Sequence, residues 1–145
     1  SEILTRPTLL GPEEMALVRL HPQAGHDVLA AIDFPWPVAT MVVQHHERMD
    51  GSGYPRGLTG DQILPGARVL AVADTVEAMT NHRPYRPGLG LDQALEAVHA
   101  GAGTLYDPEV VEACLTLLAE GAFRFSPGAP DLWVLEAAPE EPATP

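Results

Sequence analysis

Apolar residues fall at helical spacing over most of this chain, and prolines and glycines cut the pattern into segments. Thr8-Leu9-Leu10-Gly11-Pro12-Glu13-Glu14 reads as a helix start, because proline suits the first turn and acids favour its positive end. Met15, Leu17, Val18 and Leu20 follow, and Pro22 breaks or restarts the helix just after His21. A second segment carries Val28, Leu29 and Ile32 and stops at Phe34-Pro35-Trp36-Pro37. Residues 38–46 are apolar and helical up to a pair of histidines. Residues 51–66 read as loop, with Gly51, Gly53, Gly57, Gly60 and Gly66 supplying flexibility. Helical spacing returns from Ala67 to Met79 around Val69, Leu70, Val72, Ala73 and Val76, again near Leu91–Ala100, and from Asp107-Pro108 to near Gly121.

Between the last three segments, Arg83-Pro84-Tyr85-Arg86-Pro87-Gly88 is a stiff turn. Beyond residue 121, Phe123-Arg124-Phe125 and Leu132-Trp133-Val134-Leu135 suit either short strands or an extended tail. The end, Ala137 to Pro145, has the Pro-, Ala- and Glu-rich composition of a disordered segment. No internal repeat is visible. The pattern predicts an all-α helical bundle over residues 1–121, followed by an extended or disordered tail over 122–145.

At 145 residues, 46% of them hydrophobic, the chain is long enough for one domain that buries about two-thirds of its unfolded surface. No run approaches the ~20 apolar residues of a membrane span, and no cleavable leader is visible. Eight basic residues against 20 acidic ones give a net charge of −12, which disfavours binding to nucleic acid or to anionic membranes. An anionic substrate then needs local arginines or metal ions to hold it. Cys114 is the only cysteine, which rules out an intramolecular disulfide and a cysteine-based zinc cluster. It shares the apolar register of Val110, Val111, Leu117 and Leu118 and is expected in the core. A reducing cytoplasm is the expected compartment.

The chemistry concentrates in His45-His46-Glu47-Arg48-Met49-Asp50-Gly51-Ser52-Gly53-Tyr54-Pro55-Arg56-Gly57-Leu58. Two imidazoles and a carboxylate end a helical segment, and a glycine-rich backbone able to approach a ligand closely follows at once. A metal-assisted phosphate site needs that combination. Adjacent helical residues point about 100° apart, so His45 and His46 would serve two neighbouring metals, or a metal and a phosphate, rather than share one direction. Asp74 interrupts Val69-Leu70-Ala71-Val72-Ala73, where an unpaired carboxylate is costly to bury, and is either a bridging metal ligand, a loop cap or the partner of an arginine. His21, held beside Pro22, is a further candidate ligand. Arg83 and Arg86 are either a phosphate clamp or ordinary solvated charges. Arg68 reads as a surface or salt-bridging helical residue. His26-Asp27 reads as a solvent-facing coincidence.

Taken together, these blocks resemble the HD-GYP family, bacterial phosphodiesterases that linearise cyclic di-GMP. The likeness runs from Ile3 to about Leu118. It rests on His21-Pro22 with Gly25, His45-His46-Glu47 through Gly53-Tyr54-Pro55 and Gly57-Leu58, and Ile63. It continues through Ala67-Arg68-Val69, Val72-Ala73-Asp74, Ala78-Met79-Thr80, Arg83-Pro84-Tyr85-Arg86, Gly103 and Asp107-Pro108. The resemblance implies a helical bundle with two or three divalent metals, usually iron or manganese, held by His21, His45, His46 and Asp74. Gly53, Tyr54 and Pro55 would shape the substrate loop, and Arg83 and Arg86 would meet substrate phosphate. The implied reaction is metal-assisted attack of water on a phosphodiester.

Departures from the family pattern are also visible. The family's His-Asp dyad and the lysine after it belong upstream of Ile3-Leu4, so the resemblance implies an incomplete amino-terminal side, weak metal binding and little or no hydrolysis by this chain. No catalytic group beyond the metal ligands is expected. Glu77 stands for a usual aspartate, Tyr106 for a usual phenylalanine, and His82 is not the commonest residue before the arginine. A degenerate module that senses a cyclic dinucleotide, or binds a signalling partner through the Gly53-Tyr54-Pro55 loop, is the alternative. A third reading keeps the enzyme and changes the cyclic dinucleotide. A bundle with uncovered core surface favours self-association, a homodimer at its simplest.

Overall fold

The computed structural model describes residues 11–81 and 90–121, and every element within them is helical. Helix α1 (Pro12–Val18) starts where proline and the acids predict, and the Glu14 carboxylate accepts the Gly11 N–H at 3.0 Å. Pro22 restarts the chain rather than merely ending it. It sits buried in the first turn of α2 (His21–Leu29), where its missing N–H has no helical partner to lose. Helix α3 (Val38–Gln44) packs against α2. Gly25 makes that approach close: a Cβ there would lie 3.1 Å from Val42 Cγ1, tighter than side chains ordinarily pack.

Helix α4 (Pro65–Thr80) begins two residues before Ala67, because Pro65 suits its first turn and Gln44 accepts the preceding Leu64 N–H at 2.8 Å. The loop before it contains a short 3₁₀ turn, Gly60–Gln62. Helices α5 (Leu91–Ala100) and α6 (Pro108–Ala119) complete the bundle, and the Asp107 carboxylate caps α6 by accepting the Glu109 N–H at 3.0 Å. Among the described residues there is no strand, only two isolated bridges, Asp50 with Thr59 and Ala102 with Tyr106. The fold is all-α, as the apolar spacing predicts. The stiff turn with Arg83 and Arg86, and the tail over 122–145, lie outside the described residues.

Val72 and Val76 of α4 meet Ala94 and Val98 of α5, Tyr106, and Val111 of α6 in one buried cluster. Cys114 is half-buried against it, the packing role its register predicts. Arg68 is a clamp: its guanidinium donates to the carbonyls of Ile63 and Gly60 and pairs with Asp107 at 3.1 Å, tying α4 to the start of α6. The salt-bridging reading of Arg68 is therefore the right one.

The apolar pattern of α4 has two sides, and only one of them is buried. Val69 and Leu70 face outward, 53% and 39% exposed, because the helix buries its Ala67, Ala71, Val72 and Val76 side instead. Asp74 shares the outward face, so the burial penalty that singled it out does not arise.

The Tyr106 hydroxyl, which a phenylalanine would lack, has a partner here. The Thr75 hydroxyl donates to the Ala71 carbonyl at 2.8 Å, so the Tyr106 hydroxyl 3.1 Å away donates to Thr75. Tyr106→Phe is expected to lower stability by about 1 kcal/mol in urea denaturation, with unchanged m-value, since one buried hydrogen bond disappears without a change in shape.

Candidate metal centre and substrate loop

Helix α3 ends at Gln44, and that ending makes the site. His45 is the capping residue and His46 lies in the turn beyond. The 100° divergence expected of adjacent helical residues therefore does not hold: the two ring centroids are 3.9 Å apart. The α2–α3 packing brings His21, at the first position of α2, against the same spot. One ring nitrogen from each of His21, His45 and His46 lies within 4.8 Å of the others.

The ring tautomers follow from neighbouring carbonyls. His21 Nδ1 faces the Val18 carbonyl and His45 Nδ1 faces the Val42 carbonyl, each three residues earlier. A carbonyl only accepts, so both Nδ1 atoms carry the proton and both Nε2 lone pairs remain for a ligand. This is how a protein ordinarily orients a metal-binding imidazole. His46 Nε2 lies 3.1 Å from His21 Nε2. Ligand bonds of about 2.0–2.1 Å to a shared zinc ion put neighbouring nitrogens at roughly that spacing. Burial above all, then the charges of His45, His21 and Arg48, pushes the His46 pKa down to about 3. The ring is neutral across the physiological range, as a metal ligand must be. These three residues fit a divalent cation.

Glu47, next to this cluster, is 2% exposed and plays a part that the sequence did not assign to it. Its Oε1 accepts the Arg56 N–H at 2.7 Å and its Oε2 accepts the Leu58 N–H at 2.9 Å. The carboxylate is the anchor of the glycine-rich loop. Gly53 serves the same end. A Cβ there would strike the His46 carbonyl and lie 2.5 Å from the Arg48 nitrogen, so only glycine lets the loop fold back on the histidine backbone. The close approach expected to serve a ligand is made to the chain's own main chain, and the Tyr54 N–H completes it by donating to the His46 carbonyl at 3.2 Å.

Tyr54 consequently stacks on His46, with centroids 4.9 Å apart and planes 23° from parallel. Its neighbour Pro55 is exposed and follows a cis peptide bond. Burial raises the Tyr54 pKa against the lowering effect of Arg48 and Arg19, and Asp74 raises it further. The Asp74 carboxylate is not in the three-histidine cluster. Arg48 is occupied elsewhere: it donates to the His45 and Glu47 carbonyls and lies 5.2 Å from the Tyr106 ring centroid. Arg19 was not singled out from the sequence, yet its guanidinium lies 5.5 Å from the centroid of Tyr54. His26 and Asp27 are apart from the cluster, paired at 3.2 Å with Asp27 exposed. Hydrogen bonds from Gln23 and then His26 hold that carboxyl below its ordinary pKa.

Residues 1–110 match the model of the HD domain. The cyclic di-GMP phosphodiesterase response regulator RpfG of Xanthomonas campestris is 40% identical over 115 residues, which are 78% of this chain and 30% of that protein. A cyclic di-GMP phosphodiesterase of Thermotoga maritima is 41% identical over 120 residues, 81% of this chain and 33% of the relative. The chain thus spans about a third of the length of these curated relatives. The fold is that of a cyclic GMP-AMP specific phosphodiesterase structure from Vibrio cholerae, with a TM-score of 0.61 at 22% identity, covering 76% of this chain and 25% of that one. An HDG"Y"P protein from Bdellovibrio bacteriovorus is alike to the same degree, with a TM-score of 0.61 at 20% identity over 81% of this chain and 37% of that one. The chain belongs to the HD domain family, a superfamily of metal-dependent phosphohydrolases, and within it is similar to the HD-GYP members, as its sequence blocks imply.

Proposed function

We propose that this protein is a metal-dependent phosphodiesterase that hydrolyses cyclic di-GMP, with His21, His45, His46 and Asp74 as metal ligands and the Gly53-Tyr54-Pro55 loop as substrate wall. The observation that carries the reading is the convergence of three imidazoles, two with Nδ1 turned to carbonyls, beside a tyrosine loop anchored by a buried carboxylate. When bound, divalent ions at such ligands polarise a phosphodiester and activate water. Two or three ions, iron or manganese, suit this imidazole and carboxylate set.

The chain's own groups supply the rest. Glu47 and Gly53 hold the loop, Tyr54 offers a flat ring beside His46, and the exposed Asp74 adds negative charge for a second ion. Arg83 and Arg86 are the phosphate contacts we assign from the sequence, and residues 1–121 the domain that carries the site. A cytoplasmic location suits this chemistry, and among the described residues no helix is long and apolar enough to cross a membrane.

Metal content and turnover of cyclic di-GMP after manganese or iron loading test the proposal. Bound metal with product formation supports the proposal and overturns the little or no hydrolysis that the incomplete amino-terminal side implies. Weak metal binding without product upholds that expectation, and bound cyclic di-GMP without turnover would favour a sensing module. A 3'3'-cGAMP-specific phosphodiesterase of Vibrio cholerae is 35% identical over 111 residues, 77% of this chain and 24% of the relative. Cyclic GMP-AMP therefore belongs beside cyclic di-GMP in the assay. Asp74→Asn is expected to reduce bound metal by at least one ion equivalent without moving the melting temperature, since the exposed side chain supports no packing. Full metal content in that variant would remove Asp74 from the ligand set.

A further inference from the structure

Arg19 ends α1 just before His21, and only its backbone N–H takes part in that ending, donating to the carbonyls of Leu17 and Met15. The side chain is exposed, and it makes no ion pair within the described residues. Its guanidinium lies over Tyr54, the ring that stacks on His46. All eight basic residues of this chain are arginines, in a protein of net charge −12. Of those described, Arg48 is turned to backbone carbonyls and the Tyr106 ring, and Arg68 to Asp61, Asp107 and two carbonyls. Arg56 is exposed on the loop with only its backbone N–H bonded, to Glu47, whereas Arg19 alone of the described arginines lies over the Tyr54 ring. An anionic ligand approaching the three histidines from the Tyr54 side therefore meets Arg19 as a cation of defined position.

We infer that Arg19, carried by α1 and steadied on the Tyr54 ring, is a substrate-binding residue that holds a phosphate group of the ligand beside the three-histidine cluster. A planar guanidinium suits the task, because its face rests on an aromatic ring while its edge still presents N–H donors to phosphate oxygens. Lysine has a compact charge without that fork and replaces it poorly. In so acidic a chain the local field at the site depends on such a cation. The inference deepens the proposed function and rests on it for the identity of the substrate, though not for the chemistry of the contact.

The test uses Arg19→Ala and Arg19→Lys in the metal-loaded protein. KM for cyclic di-GMP is expected to rise about tenfold in Arg19→Ala, the loss of one charge-assisted phosphate contact, with kcat within twofold of the parent. Bound metal and melting temperature should be unchanged, and Arg19→Lys should recover less than half of the effect on a logarithmic scale. An unchanged KM in Arg19→Ala would overturn the assignment, as would a KM rise accompanied by lost metal. Titration with inorganic phosphate by calorimetry separates this claim from the wider one. Phosphate affinity that falls several-fold in Arg19→Ala supports the contact even if the parent protein hydrolyses no cyclic dinucleotide, a result that would overturn the function alone. Equal phosphate affinity in parent and variant, with equal KM, would overturn the Arg19 assignment and leave the function standing.

Discussion

His46→Ala is expected to abolish metal retention at the cluster and to lower turnover of cyclic di-GMP on the order of 100-fold or more. Outer-shell partners of metal ligands alone change affinity or activity about 10–100-fold, and a ligand should exceed that. His46 is the sharpest choice of the three because its Nε2 sits 3.1 Å from that of His21 while its ring carries Tyr54. The variant removes a proposed metal ligand and a stacking surface together.

A second readout does not involve activity. The folded pKa of His46 is pushed down to about 3 from an ordinary value of 6.5, so between these values the unfolded chain takes up a proton that the folded one refuses. That contribution to stability is therefore complete above pH 6.5 and is lost as pH falls toward 3. His46→Ala should flatten the metal-free protein's loss of stability over that interval, measured by urea denaturation at several pH values. Metal content and turnover equal to the parent would remove His46 from the centre.

Glu47→Ala is expected to have the largest effect on stability, about 3–5 kcal/mol, read as a fall of roughly 10 °C in melting temperature. The carboxylate is 2% exposed, and both of its oxygens are acceptors for loop N–H groups. Truncation leaves two donors short of partners and a cavity beneath the loop. Glu47→Gln is the more diagnostic change, because it keeps the volume but replaces one acceptor with a donor, so that one loop N–H faces an N–H. Amide exchange should then accelerate at Arg56 or Leu58, while the three histidines retain metal. Unchanged exchange at both amides would show that the loop is held by other contacts, such as the Tyr54 N–H to the His46 carbonyl.

Much of this was legible from the chain because the signals are local. Pro12 with Glu13 and Glu14, Pro22, and Asp107-Pro108 mark helix starts through the sterics of proline and the exposed N–H groups of a first turn. The apolar register placed Cys114 against the core. Periodicity did not tell which side of α4 is buried, since both Val69-Leu70 and Val72-Val76 read as apolar and only neighbouring helices choose between them. The exposure of Asp74 follows from that choice.

The two histidines show the boundary most clearly. Their residue types and order announce a metal site, and His21-Pro22 joins them by resemblance. Sequence geometry nevertheless separates His45 from His46, because it assumes that the helix continues. The end of α3 at Gln44, and the close α2–α3 approach that Gly25 permits, bring the three rings together. Glu47 had no assigned part beyond its place after the two histidines, and its oxygens are taken by amides 9 and 11 residues later. The sequence by itself determined the helices, their caps and the kinds of donor available, all set by interactions within a turn or two. Tertiary structure alone decided which donors converge, which carboxylate is buried, and that Arg19 lies over Tyr54, because those outcomes depend on packing between segments far apart in the chain.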